Sequence, residues 1–175
     1  MHADAEHVLR TWAAPDAAQE SLRREYLDFL ARHADAPYRS CVPGHLTASA
    51  LVVSPARDRV LLTLHAKIGR WLQMGGHCEP DDAGLHAAAA REAREESGIE
   101  GLVLGAEPVR LDRHRVGCHG GSWHLDVQYV AVAPPGAVHV ISEESLDLRW
   151  WPVDALPELA DDALERLVAA ATAQR

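Results

Sequence analysis

The segment that most constrains this chain is Gly75-Gly76-His77-Cys78-Glu79, followed by Arg91-Glu92-Ala93-Arg94-Glu95-Glu96-Ser97-Gly98. The double glycine marks a turn, and the alanine-rich run after it reads as a helix with carboxylates at i, i+3 and i+4. On an ideal helix at roughly 100° per residue, Ala88 and Ala89 share the direction of Leu85, the usual buried stripe. Glu92 and Glu96 fall within about 20° of that line, and Glu95 about 80° from it. A solvated acidic face, paired with Arg91 and Arg94, points the other way. The clustered carboxylates, two of them turned towards the core, repel one another until a cation arrives. Hard oxygen donors one helical turn apart suit magnesium, and glycine in the preceding loop lets a backbone carbonyl approach the same ion. The expectation is a helix that holds divalent cations against a phosphate chain.

The rest of the chain supplies a scaffold. Residues 4–33 read as helical with a break near Ala14-Pro15-Asp16, and Pro37 and Pro43-Gly44 end that region. Residues 46–53 and 59–65 read as strands joined by a hairpin loop at 54–58, and Trp71-Leu72-Gln73-Met74 as a short extended piece. Asp81 or Asp82 is the expected cap of the carboxylate helix, and Gly98 its left-handed end. Strands follow near 102–114, 123–133 and 146–152, with Gly120-Gly121 at a hairpin tip. A last helix over 161–173 is capped by Asp161 or Asp162. This order predicts an α/β (α+β) fold, a mixed sheet between helical layers. The division expected is a helical extension over 1–40 and one domain over 41–175.

With 175 residues and 47% hydrophobic content, a single cored domain is expected. A net charge of −9 argues against non-specific nucleic-acid binding but not against a nucleotide, whose phosphates bound cations neutralise. Cys41, Cys78 and Cys118 form no disulfide framework or CxxC pair, the N-terminus lacks a signal-like apolar core, and no run is long enough for a bilayer. The expected setting is cytoplasmic, without membrane association.

The motif resembles the Nudix box, written Gx5Ex7REUxEExGU with U aliphatic. Gly76 matches the first glycine, and Arg91 to Ile99 the second half, with Ala93 at U. The acidic position falls on Asp82 in place of Glu, and eight residues, one too many, separate it from Arg91. The resemblance implies an αβα sandwich over most of 45–155 and hydrolysis of a nucleoside diphosphate linked to another moiety. It implies that Glu92, Glu95 and Glu96 bind Mg2+ or Mn2+ with the Gly76 carbonyl, and that Arg91 orients a glutamate. Glu96 is the first candidate for general base, and Glu143 or Glu144 the second.

Other residues invite a role. His77 follows the glycines, where it can touch a phosphate or a leaving group. His124 and Asp126 alternate to one strand face and are candidates for substrate contact, against a plain reading as exposed polar residues. His114, Cys118, His119, His124 and Asp126 form a dense polar group whose spacing matches no standard zinc pattern. The tryptophans Trp71, Trp150 and Trp151 read as core. The expected partner is a small-molecule nucleoside diphosphate derivative. The N-terminal helices either pack on the sheet or make a homodimer contact. Two alternatives stand beside the hydrolase. One is an enzyme like isopentenyl diphosphate isomerase, to which Gly69-Arg70-Trp71 and Gly76-His77-Cys78 are faintly similar. The other is a nucleotide-binding regulator without catalysis.

Overall fold

The computed structural model describes residues 1–117, 120–142 and 145–173. In chain order its elements are α1 (His2–Thr11), α2 (Ala17–Arg32), β1 (Gly44–Val53), β2 (Arg59–His65), β3 (Trp71–Leu72), β4 (Met74–His77) and α3 (Leu85–Ser97). There follow β5 (Val103–Leu104), β6 (Arg110–Val116), β7 (Ser122–Val132), β8 (Ser145–Pro152) and α4 (Asp162–Ala173). The expected mixed sheet between helices is present. The strand expected near 102–114 is two pieces, β5 and β6, because Pro108 lies between them and offers no N–H to a ladder.

The sheet is built on β1 and β7, which pair in parallel from Gly44 and Trp123 to Val53 and Val132. It then forks. The outer edge of β1 pairs with β4 over Thr47–Ala50 and with β2 at Val52 and Val53. The outer edge of β7 pairs with β6 over most of its length and with β5 at its end. All these additional pairings are antiparallel, and β8 and β3 extend the β2 wing.

Because side chains alternate across a strand, β1 serves two cores. Leu46, Ala48 and Ala50, with Leu125, Val127 and Tyr129 of β7, meet α1, α2 and α3 through Leu9, Tyr26, Leu85, Ala88 and Ala93. Leu51 and Val53, with Val60, Leu62 and Val130, meet α4 through Leu164, Leu167 and Val168. Trp71 and Trp151 contact edge to face, centroids 5.3 Å apart, in this second core. The N-terminal helices thus pack on the sheet. Asp16 caps α2 by accepting from Gln19 N–H at 2.8 Å, and the Tyr26 hydroxyl donates to Asp112 O at 2.7 Å. Asp161 caps α4 at Leu164 N–H.

The cap of α3 corrects the sequence reading. Neither Asp81 nor Asp82 supplies it. The N-cap is Gly84, and the acceptor for Leu85 N–H, at 2.8 Å, is the carboxylate of Asp4 on α1. A Cβ on residue 84 would sit 2.3 Å from Asp4 Oδ2, so glycine makes room for this long-range cap. An acidic group at a helix N-terminus satisfies an orphan N–H and complements the dipole. Asp4→Ala is expected to lower stability by about 1 kcal/mol, with no shift for Asp81→Ala, as read by urea unfolding. Gly98 ends α3 at φ 65°, as expected.

Candidate active site

The α3 projection holds. Leu85, Ala88, Ala89 and Ala93 are buried, Glu92 is 14% exposed at its side chain, and Glu95 is 52% exposed. The carboxylates of Glu92 and Glu96 meet the glycines of β4. Gly75 N–H donates to Glu96 Oε2 at 3.2 Å. A Cβ on residue 76 would lie 2.6 Å from Glu92 Oε1, with no other atom nearer, so glycine leaves the room in which this carboxylate lies against the strand.

Arg91 is the hub of the site. Its guanidinium donates to both oxygens of Asp82 at 3.0 and 2.9 Å, to His77 O at 2.9 Å, to Glu92 Oε1 at 2.9 Å and to Glu95 Oε2 at 3.2 Å. Asp82 also accepts from Glu79 N–H at 2.8 Å. The extra residue before Arg91 is therefore absorbed between Asp82 and the start of α3. Asp82 ties the loop to the helix by a bidentate pair of charge-assisted hydrogen bonds. The Arg91 guanidinium holds the Asp82 carboxyl below its ordinary range, and that pairing, against the opposing burial, raises Arg91's own pKa. The spacing alone gave no sign of this pairing.

On the other face of β1 and β7, the half not covered by α4 is polar. His45, Thr47 and Ser49 lie in register with His124, Asp126 and Gln128, and His77 pairs with Thr47. Asp126 is buried, not exposed as the plain reading had it. It accepts from Thr47 at 2.8 Å, Ser49 at 2.6 Å and Gln128 at 3.1 Å. Burial raises its pKa against the opposing effect of these hydrogen bonds. Burial, helped by His45 and Arg39, lowers His77 to about 4. Burial, with His45, His77 and His114, lowers His124 to about 3. His114 faces His124 across the β6–β7 ladder, but Asp112 engages its Nδ1 at 2.8 Å. Cys78 is buried and its thiol is pushed up to about 12, chiefly by desolvation. Cys118, His119, Glu143 and Glu144 lie outside the described residues.

A family model, that of the NUDIX domain, matches residues 43–171, which include the turn, the glutamate helix and the forked sheet. The chain belongs to the NUDIX domain family. Nudix hydrolases typically cleave pyrophosphate bonds in nucleoside diphosphate derivatives. No curated protein sequence matches the chain. Among solved structures, a NUDIX-family hydrolase from Clostridium perfringens is 24% identical. It covers 75% of this chain and 98% of its own, with a TM-score of 0.63. The dihydroneopterin triphosphate pyrophosphohydrolase of E. coli is 19% identical, covering 70% and 91%, with a TM-score of 0.58. The NUDIX domain of Shewanella oneidensis NrtR, solved with ADP ribose, is 18% identical, covering 84% and 96%, with a TM-score of 0.59. These likenesses are of fold. α1 and α2 both precede the matched Nudix region, and no described helix is long and apolar enough to cross a membrane.

Proposed function

We propose that this Nudix protein is a metal-dependent pyrophosphohydrolase acting on a nucleoside diphosphate linked to another moiety. The observation that carries this reading is the seating of Glu92 and Glu96 against Gly76 and Gly75. It gathers hard oxygen donors where a Cβ at position 76 would intrude. That donor set fits Mg2+ or Mn2+, with Glu92, Glu95, Glu96 and the Gly76 carbonyl as ligands. When bound, such an ion neutralises phosphate charge and makes water a better nucleophile. Glu96 is the base that takes the proton from the attacking water. Glu144 is the second candidate for that proton. Arg91 is a positioning residue, fixing Glu92 and Glu95 while Asp82 anchors it in turn. His77 and His124 face the polar row and meet the substrate there. Residues 1–40 form a helical extension on a Nudix domain of 41–175, and the setting is cytoplasmic.

The test is a panel of nucleoside triphosphates, oxidised nucleotides, ADP-ribose, dinucleoside polyphosphates and coenzyme A, each with Mg2+ and with Mn2+. Release of phosphate or nucleoside monophosphate that stops with EDTA supports the proposal. Tight binding of these compounds without release supports the regulator, and an isomeric product supports the isomerase. Gly76→Ala should displace the Glu92 carboxylate, the far end of a flexible side chain, and so leave the melting temperature nearly unchanged. Turnover should fall at least tenfold, about 1.4 kcal/mol of transition-state stabilisation. Unchanged turnover in a folded Gly76→Ala protein would argue that Glu92 is not a ligand.

A further inference from the structure

His45, His77 and His124 come from three strands and are far apart in sequence. The sheet register brings them to one place. His45 lies beside His124 in the parallel β1–β7 pair, and His77 lies opposite Thr47, two residues along the same face from His45. Their ring centroids are 4.7 to 5.1 Å apart, and one ligand nitrogen from each ring lies within 4.8 Å of the others. Hydrophobic packing does not explain the group. The Nε2 atoms of His77 and His124 are buried and, among the described residues, find no hydrogen-bond partner. A buried nitrogen left so has given up its water for no partner, and two in one cluster point to a missing ligand. At His45, Nδ1 lies 3.4 Å from Cys41 O. A ring that donates from Nδ1 to a backbone carbonyl presents the lone pair of Nε2, the arrangement by which proteins orient a metal-ligating histidine.

We propose that His45, His77 and His124 form a three-nitrogen site for a zinc-class divalent ion, separate from the glutamates of α3. Given the 4.8 Å limit, some point lies within about 2.8 Å of all three nitrogens. Zinc–imidazole bonds are ~2.0–2.1 Å, so ring movements of under about 1 Å close the site. The donor chemistry selects the ion. Imidazoles suit zinc and its transition-metal neighbours, whereas magnesium prefers oxygen. β4 carries both sets on opposite faces. Gly76, opposite Ala48, adjoins Glu92, and His77, opposite Thr47, joins the histidines. Three protein ligands leave one tetrahedral position for water or a substrate oxygen. This deepens the substrate contact proposed for His77 and His124, which then runs through the ion. The metal-binding readout does not depend on the pyrophosphohydrolase reading.

The experiment uses untagged full-length protein, stripped with chelator and titrated with Co2+ and Zn2+ in excess Mg2+. One equivalent of Co2+ should bind with the intense visible absorption of a tetrahedral site, and Zn2+ should displace it. His77→Gln and His124→Gln change partly exposed side chains and should each weaken Co2+ binding beyond the roughly 100-fold cost of losing an outer-shell partner. Glu95→Gln should leave it unchanged. On zinc-loaded wild type, X-ray absorption should show three nitrogen neighbours at ~2.0–2.1 Å, a result independent of any variant's folding. The proposal is overturned by the absence of stoichiometric binding or by an oxygen-only shell. It is also overturned if binding survives both histidine changes, or if it disappears in Glu95→Gln.

Discussion

Glu96→Gln is expected to lower metal-dependent turnover at least about 100-fold while leaving the fold intact, a loss of ~2.7 kcal/mol of transition-state stabilisation. Glu96 Oε2 accepts from Gly75 N–H, and an amide oxygen in the same place accepts equally well, so the β4–α3 contact survives. What is lost is a negative charge and a base. Ligand charge and proton acceptance each act on the reacting centre, where bound metal contributes several kcal/mol. Glu95→Gln should behave alike, because its half-exposed carboxylate touches only Arg91 among the contacts described. The measurement is kcat across a Mg2+ titration, with the melting temperature of the same sample. If both variants kept full Mg2+-dependent turnover, the assignment of Glu95 and Glu96 as metal ligands and of Glu96 as base would be overturned.

Arg91→Ala is expected to cause the largest loss of stability, about 3 kcal/mol. The guanidinium is 16% exposed at its side chain and Asp82 only 7%. Removing it strands the Asp82 carboxylate away from water and deprives His77 O of its donor. Taking one member from a buried ion pair costs far more than the pair contributes, because the remaining charge is uncompensated. For a chain of this size the change corresponds to a fall of roughly 6–12 °C in melting temperature. Arg91→Lys keeps the charge but not the planar fork, and should recover only part of the loss. The Asp82 pairing also has a pH signature. Arg91 depresses its folded pKa, so the stability it supplies is present above the unfolded value of about 4 and is lost as pH falls below it. Arg91→Ala should flatten that acid limb. A melting temperature within about 2 °C of wild type would show that Asp82 finds other partners.

Much of the site was legible because α3 is a local object. Its period places Leu85, Ala88 and Ala89 on one stripe and carries Glu92 and Glu96 along it, and the structure keeps that direction. The helix end at Gly98 was equally local. The alternation His45-Leu46-Thr47-Ala48-Ser49-Ala50 also sorts polar from apolar faces on one strand. Its meaning depends on which strand lies beside it, and pairing partners are not encoded in the spacing of a single strand. The dense group at 114–126 shows the same limit. His124 joins His45 and His77, whereas His114 is engaged by Asp112.

By itself the sequence determined the family box, the inward glutamates and the strand–helix order, since each follows from periodicity and turn chemistry within a few residues. Tertiary structure alone decided that Asp4 caps α3, that Asp82 anchors Arg91 and that three distant histidines share one face of the sheet. Each of these joins residues whose separation along the chain carries no period. Only the burial of two cores against β1 and β7, and the register this burial imposes, brings them within reach.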